Sequence, residues 1–453
     1  MIDESFAQNL IDTALNCGAE KAEAFLSERS GTEITISGGK PESVNVNSDQ
    51  GYGIRVLLDS KIGFYSSNRL DEPLRATENI RQLVRATAMH TPDPFNALPE
   101  WLGDQKNDVQ EIYDPELARI PLSEKINTAI EIEKSGLGAD SRVKGFVWVL
   151  YGDVSETYRI LSSTGIDIAS SGTTCYGFAY CFANYGEAVQ SGRFVKAYGH
   201  YHDFDAAEIG HTAADYAVRM LGSKDLRGGN MQAIFPPEAG IPIVQSLFGM
   251  IEADSVQKGK SPFRGKIGKM VASDVLTLID DGTLAGGLGT RPYDGEGIAT
   301  TRTMVIEKGL LKNYLYDTYT AKKGKTKSTG NASRGGYHSK PLIYPTNFFI
   351  QPSKTDVKDV IGDIGNGILI TELSGLHAGI NHATADFSVP AKGIVIEAGE
   401  PAYPVDNIAI SGNLFDFLKN ISAVGNDLNW EPIEGMIGAP TFKVDNLKII
   451  GRG

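Results

Sequence analysis

The sequence predicts an α+β protein of two domains: residues 1–225, in which antiparallel strands combine with helices, and a β-dominated second half, residues 226–453. The length of 453 residues exceeds the size at which one hydrophobic core usually keeps growing. Short β-rich segments bounded by turn residues recur in both halves, and the 51 glycines suit many tight turns. Strands and helices do not alternate over long stretches, which argues against a parallel, doubly wound sheet.

In the first half, the spacing of apolar residues separates helices from strands. Apolar residues three and four positions apart predict helices, whereas short pieces between Gly, Asp, Ser and Pro predict antiparallel strands. Gly18 follows the first helical pattern and is well placed to end it. A proline-rich, acidic stretch at 90–122 is predicted to be irregular. The predicted elements are, in order, a helix at 6–15, a strand meander at 22–68, helices at 74–89 and 123–133, strands at 145–199 and a helix at 206–220.

The second half follows a Gly-rich, charged stretch at 222–230, which is the best candidate for a linker between the domains. A helix is predicted to begin at Ile241, with Pro242 in its first turn and apolar residues at helical spacing up to Ile251. Another helix is predicted at 413–421. The rest of this half is predicted to consist of strands and turns.

Composition argues against several classes of partner. A net charge of -13 and a pI near 5.1 disfavour binding to nucleic acid, because contacts to phosphates need clustered Lys and Arg. No stretch approaches the roughly 18 uninterrupted apolar residues of a membrane span, and residues 1–15 lack the features of a signal peptide. A cytoplasmic protein is therefore predicted, with three reduced and packed cysteines: Cys17, Cys175 and Cys181.

A series of unusual signatures covers the second half. They are, in order, GIPIVQSLFGMIEAD (240–254), KIGKMVASDVLTLIDDG (266–282), RPYDGEG (291–297), KSTGNASRGG (327–336), NHATADFSVPAKGIVIEAGE (381–400) and VGNDL (424–428). Together they resemble the TldD/PmbA family, once labelled modulators of DNA gyrase and now regarded as a two-subunit zinc metallopeptidase system. The resemblance is weaker in the first half, where GYGIRVLLDSKIGFYSSN (51–68) is similar to the family's opening strands.

The resemblance also implies where a metal would be bound. TldD-type subunits carry HExxxH on the helix that matches 240–254, and a cysteine near the carboxyl end, which together hold a catalytic zinc. Here the matching positions are Gln245, Ser246 and Met250, and the segment 426–440 contains no cysteine. The chain therefore resembles the PmbA (TldE) type, the subunit without the metal, and the zinc is expected in a TldD-like partner.

The chemistry of these side chains agrees with that interpretation. A hydrolytic zinc needs about three imidazole, thiolate or carboxylate ligands and an open position for water. Gln245 is a poor zinc ligand, and the thioether of Met250 has little affinity for zinc. Ser246 cannot take a proton from zinc-bound water near neutral pH. No catalytic residue and no metal ligand is therefore predicted in this chain.

Six residues are predicted to contact a peptide or to line its cleft: Asp294, Glu296, Gly330, Asn331, Arg334 and His377. Gly330, Asn331 and Arg334 belong to a loop that lacks the P-loop order but suits a carboxylate or a peptide backbone. Asp294 and Glu296, with Asp280 and Asp281, also offer paired carboxylates for acid–base catalysis. Because DDG and DGEG are common turn sequences, a structural or cleft-lining role is favoured for these acids.

The histidines suggest another metal site, which the sequence does not favour. His200 and His202 form an H-x-H pair near Asp203, and a strand would place both imidazoles on one face. The same residues, with His211 downstream, fit a strand end that leads into a helix. His377 and His382 flank a Gly-rich turn whose best explanation is loop structure or a contact with substrate.

Three functions are consistent with these observations. The leading hypothesis is a metal-free, PmbA/TldE-like subunit that pairs with a TldD-like metallopeptidase subunit to process small or unfolded peptides; whether the chain forms a homodimer when alone is left open by the sequence. The second is an autonomous hydrolase that uses the carboxylates or the histidines. The third is a peptide-binding or adaptor protein, and co-purification with an HExxxH-bearing relative discriminates it from the first.

Overall fold

The structure, a computed structural model, describes residues 4–101, 109, 112–433 and 435–451. This part of the chain contains ten α-helices and two 3-10 turns, Leu117–Arg119 and Tyr201–Asp203. The helices are α1 (Glu4–Asn16), α2 (Pro73–Ala88), α3 (Leu122–Ala139), α4 (Ala206–Val218), α5 (Pro237–Ile251), α6 (Ala253–Gln257), α7 (Thr318–Gly324), α8 (Val357–Gly362), α9 (Leu376–Gly379) and α10 (Leu414–Lys419).

The same described residues form twenty strands. They are β1 (Lys21–Ser37), β2 (Lys40–Leu58), β3 (Lys61–Ser67), β4 (Val143–Ser162), β5 (Asp167–Tyr185), β6 (Ala188–Tyr198), β7 (Gly229–Phe235), β8 (Leu278–Asp281), β9 (Arg302–Glu307), β10 (Leu310–Leu311), β11 (Ala332–Ser333), β12 (Leu342–Ile343), β13 (Asn347–Ile350), β14 (Gly367–Leu373), β15 (Asp386–Glu397), β16 (Glu400–Asn413), β17 (Ile421–Val424), β18 (Asn429–Pro432), β19 (Met436–Ala439) and β20 (Phe442–Ile450).

One antiparallel sheet of six strands, in the order β3-β2-β1-β4-β5-β6, forms the centre of the first half. Side chains alternate between its two faces, and the residues of β5 accordingly alternate between buried and partly exposed. The buried face packs against α1 and α2 at one end and against α3 and α4 at the other, around residues such as Ile54 and Ile132. The opposite face carries Glu23 and Phe25 and turns toward the second half of the chain, where Arg334 contacts both residues.

The second half contains a closed ring of five strands, β16-β15-β14-β7-β20, because β20 pairs with both β7 and β16. Another six-stranded sheet has the order β10-β9-β8-β13-β19-β18. α5 lies between the two sheets, in contact with β14 and β19. Its residues Val244, Leu247 and Ile251 are fully buried in the main hydrophobic core.

These observations confirm the predicted α+β class, with helices in the first half and a β-rich second half. The strand meander predicted at 22–68 is confirmed and consists of the three antiparallel strands β1 to β3. β1 and β2 pair along almost their whole length, and the backbone hydrogen bonds between them maintain the strands where the sequence is polar. The helix predicted at 123–133 is longer and extends to Ala139.

Two further predictions for the second half need correction. α5 begins at Pro237, which occupies the first turn, and Pro242 lies inside the helix. Four short helices, α6 to α9, were not predicted, because each has too few residues to show a helical period. The domain boundary at 225/226 stays a prediction and falls in the loop between α4 and β7. The irregular stretch predicted at 90–122 lies partly outside the described residues.

The cysteines and the helices bear on two other expectations. All three cysteines are free, and Cys175 and Cys181 are buried on β5, whereas Cys17 is partly exposed. Among the helices that the structure describes, none is long and apolar enough to cross a membrane.

Candidate functional site

A cleft of about 700 Å³, the main cleft, lies between the sheet of the first half and α5. Both halves of the chain contribute side chains to its walls: Arg55, Ile62 and Phe64 from β2 and β3, and Gln245, Ser246 and Gly249 from α5. A cavity of this size between two packed units is a usual place for a ligand. The main cleft is therefore the candidate functional site.

α5 presents one face to the main cleft and another to the core. Gln245 and Gly249 both line the cleft, because residues four positions apart lie on one face of a helix. Met250 lies about 100° further round than Gly249 and is fully buried. The hydroxyl of Ser246 donates a hydrogen bond of 2.9 Å to the carbonyl of Pro242. Of the three positions that the family resemblance assigns to zinc binding, two therefore face the cleft and Met250 does not.

Acidic side chains at the starts of α6 and α7 also line the main cleft. Burial raises the pKa of Glu252, and the neighbouring charge of Asp254 raises it further. Burial likewise raises the pKa of Asp317, with an added effect from Glu296. Asp254 forms an ion pair of 2.7 Å with Lys258. This part of the cleft consequently holds more carboxylates than cations.

Two histidines, His377 and His382, also line the main cleft. His377 lies on α9, and His382 lies in the loop that follows it. The ring of His382 lies beside α5, since a Cβ added at Gly249 would be 3.6 Å from its Cε1 atom. Contact of His377 with a peptide stays a prediction.

A buried group of four charged residues, the ion cluster, connects the two halves beside the main cleft. Arg55 donates from Nε to Glu23 at 2.9 Å and from Nη1 to Glu296 at 2.8 Å. Arg334 donates to the same Glu23 carboxylate and lies 4.8 Å from the Phe25 ring centroid. Burial alone would raise the pKa of Glu23, but Arg334 and Arg55 hold it below its usual value. The ion cluster fixes the floor of the cleft at the junction of the two halves.

Asp294 is a buried acid in the loop that carries Glu296. Asp294 accepts hydrogen bonds from the backbone N–H groups of Glu296, Ile298 and Ala332. Burial and the charge of Glu296 raise the pKa of Asp294. Asp294 does not line the main cleft. Its hydrogen bonds hold the loop that carries Glu296, which does line the cleft. A structural role for this acid, as the turn sequence favours, follows from these contacts.

Asp280 and Asn331 form a second buried support. Asn331 donates to Asp280 at 2.6 Å and to the carbonyl of Tyr344 at 3.2 Å, and Thr346 donates to Asp280 from its backbone and its hydroxyl. Burial raises the pKa of Asp280 to about 6. Gly330 has a φ of +75°, and a side chain there would meet the carbonyl of Ala299. Asn331 and Gly330 therefore shape the loop from below and do not line the main cleft.

Matches to three family models divide the chain in sequence order. They are PmbA/TldA metallopeptidase domain 1 at residues 22–89, the central domain at 115–221 and the C-terminal domain at 228–451. The chain belongs to the PmbA/TldD family. The first two regions together form the one antiparallel sheet of the first half, and the third contains α5 and the closed ring.

Named relatives agree with this membership. Metalloprotease PmbA of Escherichia coli O157:H7 is 28% identical over 434 residues, which cover 93% of this chain and 91% of that protein. A metalloprotease TldD homolog of Buchnera aphidicola subsp. Acyrthosiphon pisum is 31% identical over 253 residues, which cover 53% of this chain and 52% of that protein. This chain is similar to both types.

Solved structures share the fold across the full length. A protein of Thermotoga maritima that has been labelled a DNA gyrase modulator superposes with a TM-score of 0.89 at 28% identity, over 99% of this chain and 100% of that chain. TldE from Thermococcus kodakarensis superposes with a TM-score of 0.88 at 24% identity, over 98% of this chain and 100% of that chain, and shows the common fold.

The metallopeptidase name of the PmbA/TldD family implies a metal, and the described side chains do not fit one. In residues 4–101, 109, 112–433 and 435–451, no group of three or more His, Cys, Asp or Glu is arranged to hold a metal ion. A 3-10 turn lies between β6 and α4; His200 precedes this turn, and the exposed His202 lies in it. His211 lies on α4. The strand end leading into a helix is thus confirmed.

Two residues that line the main cleft, Arg55 and Asp317, were not predicted from the sequence. Arg55 is the only charged residue in the segment GIRVLL of β2, and a lone arginine in an apolar strand is the signal that could have identified it. Asp317 caps the start of α7, where it accepts from the Thr320 backbone at 2.8 Å. The partner Glu296 of Arg55 is distant in sequence, which a local pattern does not show, whereas the capping partner of Asp317 is only three residues away.

Another cleft, of about 540 Å³, adjoins the main cleft and shares with it the wall residues Gln245 and His377. Glu431 lines it. Burial raises the pKa of Glu431 to about 7, Arg193 opposes the rise, and Glu238 adds to it. Glu431 therefore binds a proton more strongly in the folded protein than in the unfolded chain.

Replacing Glu431 by glutamine is expected to stabilise the protein at alkaline pH only. Between the unfolded pKa near 4.5 and the folded value near 7, the folded state binds more protons, so the free energy of unfolding of the parent falls as pH rises. Glu431→Gln removes this pH dependence. The free energy of unfolding of the variant should exceed that of the parent by about 1 to 2 kcal/mol at about pH 8 and should equal it near pH 4. Urea denaturation at both pH values measures the difference, and the exposed Glu400→Gln is the control. Parallel pH profiles for parent and variant would contradict the assignment.

Proposed function

We propose that this chain is the PmbA/TldE-type subunit, without a catalytic metal, of a two-subunit TldD/TldE metallopeptidase that processes small or unfolded peptides. One observation carries the proposal. The face of α5 that lines the main cleft presents Gln245 and Ser246, where a TldD-type helix is expected to present a metal ligand and the general base, while Met250, at the expected position of the second ligand, is buried in the core.

None of these three groups replaces that chemistry. The amide of Gln245 is a weak zinc ligand, the thioether of Met250 has little affinity for zinc and is buried, and the hydroxyl of Ser246 donates to the carbonyl of Pro242. The imidazoles of His377 and His382 line the same cleft, but among the described residues no third His, Cys, Asp or Glu is arranged with them to hold a metal ion, and a hydrolytic zinc needs about three ligands. The chain would therefore complete or gate a shared peptide cleft while the partner supplies the zinc.

The lining of the main cleft suits an unfolded peptide. Ile62, Phe64, Phe248 and Leu342 offer apolar surface for side chains. Charged groups also line the cleft, namely the carboxylates near α6 and the ammonium group of Lys340. A peptide in extended form would contact both halves of the chain. The cytoplasmic location remains a prediction.

Zinc content and peptide cleavage test this proposal together. The untagged chain, offered zinc at neutral pH and then dialysed, should retain less than about a tenth of an equivalent and should not cleave an unstructured peptide. Addition of an HExxxH-bearing relative should produce a stable complex and zinc-dependent cleavage. One tightly bound equivalent of zinc, or cleavage by the isolated chain that is lost on mutation of His377, would overturn the proposal in favour of an autonomous hydrolase.

A double variant provides the matched control. Gln245→His with Met250→His restores the two histidines of the family's HExxxH motif, yet the double variant should still show no zinc-dependent cleavage. Met250 is fully buried, so an imidazole there would lie in the core and away from the cleft. Stable binding of peptide by the chain, with no complex formed with any HExxxH-bearing relative, would favour the adaptor hypothesis.

A further inference from the structure

A second cleft of about 560 Å³ continues the main cleft on the other side of β12. Lys340, Leu342 and Tyr344 line both clefts, so this short segment separates them. Val154 and Tyr158 of β4 form one wall of the second cleft, and the Gly-rich loops of the second half form the other. An extended peptide that occupies the main cleft can therefore continue past Leu342 into the second.

Arg291 lines the second cleft without a strong partner. Its Nε has no hydrogen-bond partner, and its terminal nitrogens make only long contacts, 3.5 Å to Ser333 Oγ and 3.4 Å to the carbonyl of Ala332. No carboxylate of the described chain lies within ion-pair distance of it. By contrast, Arg334 is paired with Glu23. A partly buried guanidinium with unused donors is a ready partner for a planar anion.

The other charged groups of the second cleft are Lys340 and Glu156. Lys340 is exposed and forms no ion pair among the described residues. Glu156 is partly buried; burial raises its pKa, and the charges of Arg29 and Arg291 oppose the rise. Two cations without close partners thus face one carboxylate here, whereas the main cleft carries Glu252 and Asp317. The two clefts consequently differ in charge, the second being the more positive.

We propose that the second cleft binds the free α-carboxylate of an extended peptide, with Arg291 as its main partner and Lys340 beside it. The peptide chain then runs past Leu342 into the main cleft, where the acidic wall suits its more amino-terminal end or a basic side chain. A guanidinium binds a carboxylate through two parallel N–H···O bonds, which a neutral amide cannot reproduce. The inference rests on the proposed function, namely that the main cleft binds peptides.

Three labelled peptides with one unstructured sequence of about ten residues, which spans roughly 30 Å when extended, test the subsite by fluorescence anisotropy with the full chain. The first has a free carboxylate, the second a terminal amide, and the third a terminal amide after a final Glu. The free acid should bind at least about tenfold more tightly than the amide. Equal binding of acid and amide would overturn the subsite and leave the proposed function intact, whereas no binding of either would overturn both. Binding of the Glu peptide as tight as that of the free acid would overturn the assignment to the α-carboxylate.

Substitutions locate the effect. Arg291→Gln should abolish the preference for the free acid, while Glu156→Gln should increase it because a like charge is removed. Arg119→Gln, at a side chain that is 73% exposed, is the matched control and should change nothing. If Arg291→Gln does not fold, Lys340→Gln at the exposed neighbour should reduce the preference several-fold. An unchanged preference in a folded Arg291 variant would overturn the role of this residue.

Discussion

Replacing Arg55 by alanine is expected to lower the free energy of unfolding by about 3 to 5 kcal/mol, among the largest effects of any single substitution in this chain. Arg55 is 6% exposed and makes ion pairs of 2.5 Å with Glu23 and 2.8 Å with Glu296. Its removal leaves Glu296 without a cation and leaves Glu23 to Arg334 alone. Both carboxylates would remain buried, and a buried unpaired charge is costly.

Urea denaturation near neutral pH measures this loss, and two variants control for it. Arg81→Ala removes a surface pair with Glu78 in which both side chains are about half exposed, and it should cost less than about 0.5 kcal/mol. Arg55→Ala combined with Glu296→Gln should be less destabilised than the sum of the single changes, because one of the stranded charges is removed. A loss for Arg55→Ala as small as that for Arg81→Ala would mean that the ion cluster does not connect the halves.

Gly249→Phe is expected to weaken peptide binding by at least about tenfold, because its ring would occupy the middle of the main cleft. Gly249 lies on the cleft face of α5, and outside the backbone of α5 itself the atoms of the described residues that a Cβ there would meet within 4 Å belong to His382. The larger ring must either fill the cleft or displace that imidazole. The measurement is anisotropy with an unstructured labelled peptide, and cleavage by the complex with an HExxxH-bearing relative.

Gly249→Ala is the matched control for this position. Its Cβ would make ordinary contacts of 3.6 and 3.7 Å with His382, and alanine favours a helix over glycine by up to about 1 kcal/mol. The alanine variant should therefore bind peptide as the parent does and be slightly more stable. Equal peptide binding by the phenylalanine and alanine variants would show that the peptide lies elsewhere.

Local patterns identified most of the elements and part of the site. Helical spacing located α1 to α5, and turn residues located the strand meander, because both signals come from neighbours in sequence. Family signatures directed attention to α5, and His377 and Glu296 do line the main cleft. Asp294, Gly330 and Asn331 proved to support the loops beneath it. The same signatures pointed to these residues because a supporting residue and a contacting residue look alike in a motif.

The amino-acid sequence by itself determined the α+β class, the order of elements in the first half and membership of the PmbA/TldD family, since each rests on local periodicity or on ordered motifs. Only the tertiary structure decided that Gly249 faces the cleft while Met250 enters the core, because the docking of α5 between two sheets selects the exposed face. It also paired Arg55 with Glu296, 241 positions away. Such a contact depends on how the two halves pack against each other, and no spacing within either half encodes it.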